Sequence, residues 1–218
     1  MRIVRRIKST WDTFISALGP EFCTCLLCDD EDYIGGDGLC DACRQKLLAC
    51  PDPTFSQPLD GVTAGLQYSE EVIAAVIRLK KYKKFIYALF FAQYMHLKPE
   101  WKVDLLVPVP QYPLIESIRG YNHSTELCRQ LSGTLGIPMS REVLFKIRLT
   151  RPQKTLNRKE RKRNLKHAFY AREHVKGLNI VLVDDVFTTG STAAACAAAL
   201  KKAGARRVYC CCATAAIR

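Results

Sequence analysis

One stretch limits the fold of this chain more than any other: Val181 to Thr192, VLVDDVFTTGST. Ile180-Val-Leu-Val183 is continuously apolar, the pattern of a central parallel strand buried on both faces. Asp184 and Asp185 stand at its carboxyl end, Thr188-Thr-Gly-Ser-Thr192 follows, and an Ala-rich helical segment runs on to Ala203. Ligands of open α/β sheets bind at the carboxyl ends of strands. A helix N-terminus offers N–H groups and the positive end of its dipole. Hydroxyls of Thr188, Thr189, Ser191 and Thr192 add donors, and Gly190 lets the backbone approach closely. Together these features make a cradle for a sugar 5′-phosphate, with two carboxylates placed to hold vicinal ribose hydroxyls. The Walker A pattern is absent, because no Gly-Lys-Ser/Thr occurs. A lone Asp-Asp pair would fit an ordinary turn with an acidic cap; the added Thr-Thr-Gly-Ser-Thr run is much more specific.

The rest of the chain supplies a sheet for that strand. Strands are predicted over Val62–Tyr68, Val103–Val109, Asn179–Val183 and Arg207–Thr214. Helices are predicted over Glu70–Leu79, about Phe85–His96, Thr125–Leu135 and Thr192–Ala203. Gly136 and Pro138 close the third helix, and Gly204 sits where the last one needs a cap. This alternation predicts an α/β fold, a mostly parallel sheet flanked by helices. Cys210 to Cys212 then lie in a buried strand as small apolar packing. The aromatics of 85–96 read as core. Pro108-Val-Pro110 makes a tight loop at the carboxyl edge, with Arg119, Gly120 and Asn122 as polar partners nearby; the prolines alone also fit a structural turn.

Eleven cysteines are present, five of them between Cys23 and Cys43. Cys25-x2-Cys28 and Cys40-x2-Cys43 are two knuckles whose four thiolates satisfy a tetrahedral Zn²⁺ with no open position, the mark of a structural site. A redox role is the weaker reading, and Cys23 is a spare thiol. The module could also be a nucleic-acid ribbon, but its six acids between Asp29 and Asp41 argue against that. An odd cysteine count with an adjacent triplet fits a reducing compartment. Residues 51–60 carry three prolines and read as a linker.

Residues 1–22 place Ile3, Val4, Ile7, Trp11, Phe14, Ile15 and Leu18 on one helical face. This amphipathic helix docks on its own protein or lies on a membrane surface. Thr10, Asp12, Thr13 and Ser16 break any signal-peptide core, and no run reaches the length of a spanning helix, so the reading is cytoplasmic. The formal net charge of +12 favours an anionic partner. Nine of the basic residues fall between Arg148 and Lys166, in a stretch with no clean period that reads as a mobile loop. Such a run is a solvated face, a track for a DNA backbone, or a lid over an anionic ligand. His96, His123, His167 and His174 have no metal-like spacing and read as structural or exposed.

The Asp184-Asp185 segment resembles the phosphoribosyl-pyrophosphate (PRPP) motif of type I phosphoribosyltransferases. Further segments narrow the likeness: the two cysteine knuckles, Leu79-Lys80 with Tyr82, Val107-Pro-Val-Pro110, Arg119-Gly-Tyr-Asn122, Arg148-x-Thr150-x2-Gln153, Arg161-x2-Asn164 and Ala168-Phe169. In that order and spacing the chain resembles the ComF family, late-competence phosphoribosyltransferase-like proteins, from about Cys25 onward. His123 departs from it, standing where the family commonly has Gln. The resemblance implies a type I phosphoribosyltransferase domain over 53–218 behind a zinc module over 23–52. It implies PRPP bound with Mg²⁺ and pyrophosphate held near Pro108, Val109 and Pro110. It also implies a hood carrying Arg148, Gln153, Arg161 and Asn164, and a part in DNA uptake during natural transformation. It supplies no acceptor. The alternative expectation is an adaptor of the uptake machinery that binds single-stranded DNA and uses PRPP only as a ligand.

Overall fold

A computed structural model describes residues 24–30, 37–81, 85–151, 160 and 163–216. The expected helix over 1–22, Cys23, Tyr82, Gln153 and Arg161 lie outside the described residues. Four parallel strands form the central sheet: β1 (Gly61–Gln67), β2 (Leu105–Pro108), β5 (Asn179–Phe187) and β6 (Arg207–Ala215), in the order β1-β6-β5-β2. Two short strands, β3 (Leu144–Lys146) and β4 (Phe169–Ala171), pair antiparallel as a separate ribbon. Among the described residues six α-helices can be bounded: α1 (Asp41–Lys46), α2 (Glu70–Lys81), α3 (Phe85–Ala92), α4 (Pro113–Arg119), α5 (His123–Leu135) and α6 (Ser191–Lys202).

The two central strands divide their side chains between two cores, because strand residues alternate in direction. Val181, Val183, Cys211 and Ala213 pack with α2, α3 and α5. Ile180, Leu182, Cys210 and Cys212 pack with α6 and the β3–β4 ribbon. α6 buries Ala193, Cys196, Ala197 and Leu200, an i, i+3, i+4, i+7 stripe whose small residues bring the helix close to the sheet. The expected burial of Cys210 to Cys212 is met.

The cysteine segment does not stand apart. Cys25, Leu26, Leu27, Leu39, Cys40 and Cys43 share the first core with Leu66, Val76 and Leu79. Arg78 of α2 donates to the carbonyls of Leu26 and Leu27 and pairs with Asp29. Ala49 bridges to Leu66 on the free edge of β1, covering it. Residues 51–60 are likewise not a free linker. Leu59 is buried, and Asp60 takes Lys201, Arg207 and the Val208 N–H.

Two further expectations shift. The helix drawn to His96 ends at Ala92, because the chain beyond it crosses the sheet: Thr63 Oγ1 donates to the His96 carbonyl at 2.7 Å. Gly65 permits this crossing, since a Cβ there would lie 2.9 Å from the Tyr94 backbone. α4 and the ribbon were not expected at all. α4 begins on Pro113, whose fixed φ suits a first turn, and ends on Gly120 at φ 74°.

Candidate functional site

The cradle forms where β5 passes into α6. Asp184, Val186, Phe187, Thr188, Thr189, Gly190, Ser191, Thr192, Ala193 and Cys212 line one pocket. Gly190 is the N-cap, at φ 68° and ψ 5°. A Cβ there would meet the Phe187 ring at 2.6 Å, so both conformation and space demand glycine. The Thr189 and Ser191 hydroxyls lie 2.8 Å apart, and no side chain caps the helix. Its first turn therefore presents donors and a positive dipole end to the pocket. All five sequence-predicted residues from Thr188 to Thr192 are brought together here.

The acids differ from expectation. β5 continues to Phe187, so Asp184 and Asp185 lie within the strand and not beyond it. Asp184 is half-buried on the pocket wall and accepts the Ser124 hydroxyl at 2.9 Å and the Asp185 N–H at 3.0 Å, both on Oδ1. Burial, with the neighbouring Asp185 charge adding to it, pushes the Asp184 carboxyl up to about 7. Asp185 is 4 % exposed and faces a lysine ammonium and a histidine ring. Lys80 Nζ pairs with its Oδ2, and His123 Nε2 lies 3.3 Å from Oδ1. Burial works against the Asp185 charge, but His123 and Lys80 outweigh it and hold the carboxyl far below the usual range.

The loop after β2 joins this network. Asn122 caps α5 by accepting the Ser124 N–H, and its amide donates to the Val109 carbonyl at 3.1 Å. Gln111 Nε2 lies 2.9 Å from His123 Nδ1, and Arg119 donates to Gln111 Oε1 at 3.5 Å. The Tyr121 hydroxyl donates to the Leu79 carbonyl, next to Lys80. Asn122 and Arg119 are thereby tied to the loop after β2 through Val109 and Gln111, and Gln111 leads to Asp185 through His123. His123, read from sequence as structural or exposed, is instead buried and central. Lys80 and Ser124 were not foreseen as site residues. The sequence signals were the Leu79-Lys80 segment and the His123 departure within the family likeness, and adjacency: Lys80 lies in the last turn of an amphipathic helix, and His123 and Ser124 follow the Asn122 cap.

Arg148 and Asn164 close the neck of the basic segment. Arg148 donates to the Asn164 and Lys166 carbonyls, while the Asn164 side chain both accepts from and donates to the Arg151 backbone. Asn164 thus uses its side-chain amide within the neck, and Arg148 commits one guanidinium nitrogen to it.

Among the described residues two groups could hold a metal ion: Cys25, Cys28, Cys40 and Cys43, and His123 with Asp184 and Asp185. In the first, all four Sγ atoms lie within 4.8 Å of one another, and Cys28 and Cys40 are 3.8 Å apart. Four sulfurs at about 2.3 Å from a tetrahedral zinc would be separated by about 3.8 Å. The cluster fits such an ion. In the second, the Lys80 ammonium already supplies the positive charge that Asp185 requires.

The phosphoribosyl transferase domain family matches residues 119–217. The DNA utilization protein YhgH of Salmonella typhi is 42% identical over 150 residues, 68% of this chain and 62% of that protein. The Escherichia coli protein of the same name is 33% identical over 153 residues, with the same shares. Competence protein F of Haemophilus influenzae is 27% identical over 201 residues, 77% of this chain and 86% of that protein. The chain thus spans 62% of the length of these two YhgH relatives.

Proposed function

The chain belongs to the ComF family of phosphoribosyltransferase-like proteins, and on that premise we propose that it binds PRPP at the β5–α6 cradle and acts in DNA uptake. The observation that carries this reading is the uncapped α6 N-terminus behind Gly190, ringed by Thr188, Thr189, Ser191 and Thr192. It suits a dianionic phosphate and little else. Asp184 stands at the pocket wall where ribose hydroxyls would follow the 5′-phosphate. The loop from Pro108 to Asn122 would then border the pyrophosphate.

Transfer of a ribosyl group needs the leaving pyrophosphate neutralised and water kept away. Mg²⁺ bound with PRPP would supply charge neutralisation. The basic segment closed at its neck by Arg148 and Asn164, and carrying Gln153 and Arg161, is the hood in this reading. The four cysteines hold structural zinc, and the free thiols of the core suit the cytoplasm. The reading assigns no acceptor. A second reading, an adaptor that binds single-stranded DNA and uses PRPP only as a ligand, draws on the +12 charge.

Calorimetry with PRPP and Mg²⁺, beside fluorescence titration with single-stranded DNA, separates the two. Asp184→Asn should weaken PRPP by about thirtyfold, the loss of roughly 2 kcal/mol from a charge-assisted hydrogen bond. DNA affinity should not change. Unaltered PRPP affinity in this variant contradicts the proposed site.

A further inference from the structure

The β3–β4 ribbon carries a cation at an inward-facing position. Lys146 ends β3 and stands opposite Phe169 of β4. Strand residues alternate in direction, so Lys146 shares a face with Leu144. Leu144 and Phe169 are both buried in the core that includes α6. An apolar residue would suit such a place. Instead a half-buried lysine sets its Nζ 5.8 Å from the centre of the Phe169 ring, within electrostatic reach of Asp184. Burial pushes the ammonium down, and Cys196 and Asp184 offset only part of this. Among the described residues it makes neither an ion pair nor a hydrogen bond. The neighbouring arginines have partners inside the protein. Arg172 lies 5.0 Å from the centre of the Phe145 ring, and Arg148 donates to the Asn164 and Lys166 carbonyls.

Two pockets fix where Lys146 stands relative to the cradle. It does not line the cradle, so the 5′-phosphate is not its partner. It lines a second pocket, of about 470 Å³, with Arg172 on the ribbon side and Tyr112 and Pro113 opposite. Tyr112 and Pro113 follow Pro108-Val-Pro110 and Gln111 directly in the chain. This pocket therefore borders the loop after β2. Asp184, which Lys146 feels, is the acid on the cradle wall. Lys146 thus stands between the sugar side of the cradle and the loop after β2. A half-buried ammonium with no carboxylate partner gains most from an anionic ligand, and its partly desolvated surroundings strengthen that attraction.

We propose that Lys146 is a ligand-binding residue that takes the pyrophosphate arm of PRPP, holding it between the β3–β4 ribbon and the loop after β2. The inference rests on the PRPP reading above. It adds to that reading a cation held by a strand of the fold, placed to neutralise charge on the leaving group.

The test is calorimetry on the full chain with three probes: PRPP with Mg²⁺, pyrophosphate with Mg²⁺, and ribose 5-phosphate. Lys146→Met keeps the apolar stem against Phe169 and removes the charge. It should weaken PRPP and pyrophosphate by about tenfold or more, the loss of a charge-assisted contact. Ribose 5-phosphate should stay within about twofold of the parent, because the cradle is a separate site. Lys146→Gln should show the same pattern, and it carries the comparison if the methionine variant fails to fold. A lysine that only packs would, once replaced, weaken all three probes alike or none of them, and either result overturns the proposal. A parent chain that binds neither PRPP nor ribose 5-phosphate overturns the PRPP reading itself.

Discussion

At the scale of residues, neighbouring carboxylates carry opposite pH signatures. Asp184 is raised from 3.8 to about 7 by burial and by Asp185, so the folded chain keeps a proton that the unfolded chain has already released. Its contribution is present at acid pH and is lost as pH rises from about 4 through 7. Asp185 is depressed, so its contribution is present above the ordinary carboxylate range and is lost as pH falls through it. Urea unfolding should show Asp184→Asn gaining on the parent by about 1–2 kcal/mol more at pH 8 than at pH 5. Asp185→Asn should instead lose about 1–3 kcal/mol at pH 7, the cost of leaving the half-buried Lys80 ammonium unpaired, and lose less in acid. Equal differences at both pH values would contradict this electrostatic picture. The acids and the Thr-Gly-Ser run were legible in the sequence because chain order alone places them at a strand-to-helix turn. The surroundings of Asp185 were not legible. Lys80 and His123, which flank Asp185, arrive from α2 and α5 and are far away in the chain.

Among elements, the cysteine module makes the clearest demand. Cys40 both joins the thiol cluster and caps α1, its Sγ accepting the Cys43 N–H at 3.4 Å. Because the module's apolar residues lie in the same core as α2 and β1, metal loss should weaken the whole fold together. Purified protein should carry zinc, and Cys40→Ser should lose it and melt in a single transition. The midpoint should fall by at least about 6 °C, the shift that roughly 3 kcal/mol produces at this chain length. Zinc below about half an equivalent in the intact chain, or two separate transitions, would count against the assignment. The knuckles were legible because C-x2-C spacing is itself geometric. Their docking was not, since it depends on Arg78 reaching the Leu26 and Leu27 carbonyls. Ribbon strands of three residues lie below what alternation can reveal, and α4 shows no buried face to betray it.

The whole molecule is a sheet that points its carboxyl ends at one site. β5 delivers the acids and the cradle, β2 delivers the Pro108–Asn122 loop beside it, and the basic segment is tied off at its neck between β3 and β4. The parallel sheet was legible from the continuous apolar runs of β5 and β6, which leave no polar face. The crossing of the chain after α3 was not, because it hangs on a Thr63 hydroxyl and the absence of a side chain at Gly65. The central claim is that the α6 N-terminus holds the 5′-phosphate, and Gly190 is its most exacting part. A β-carbon there collides with Phe187 and strains a left-handed backbone. Phosphorus NMR of PRPP reads that phosphate separately from the pyrophosphate. On titration with the intact chain and Mg²⁺, the 5′-phosphate resonance should shift and broaden, and Gly190→Ala should abolish the change. A 5′-phosphate signal that stays fixed with the parent chain, or moves equally with Gly190→Ala, would contradict the account.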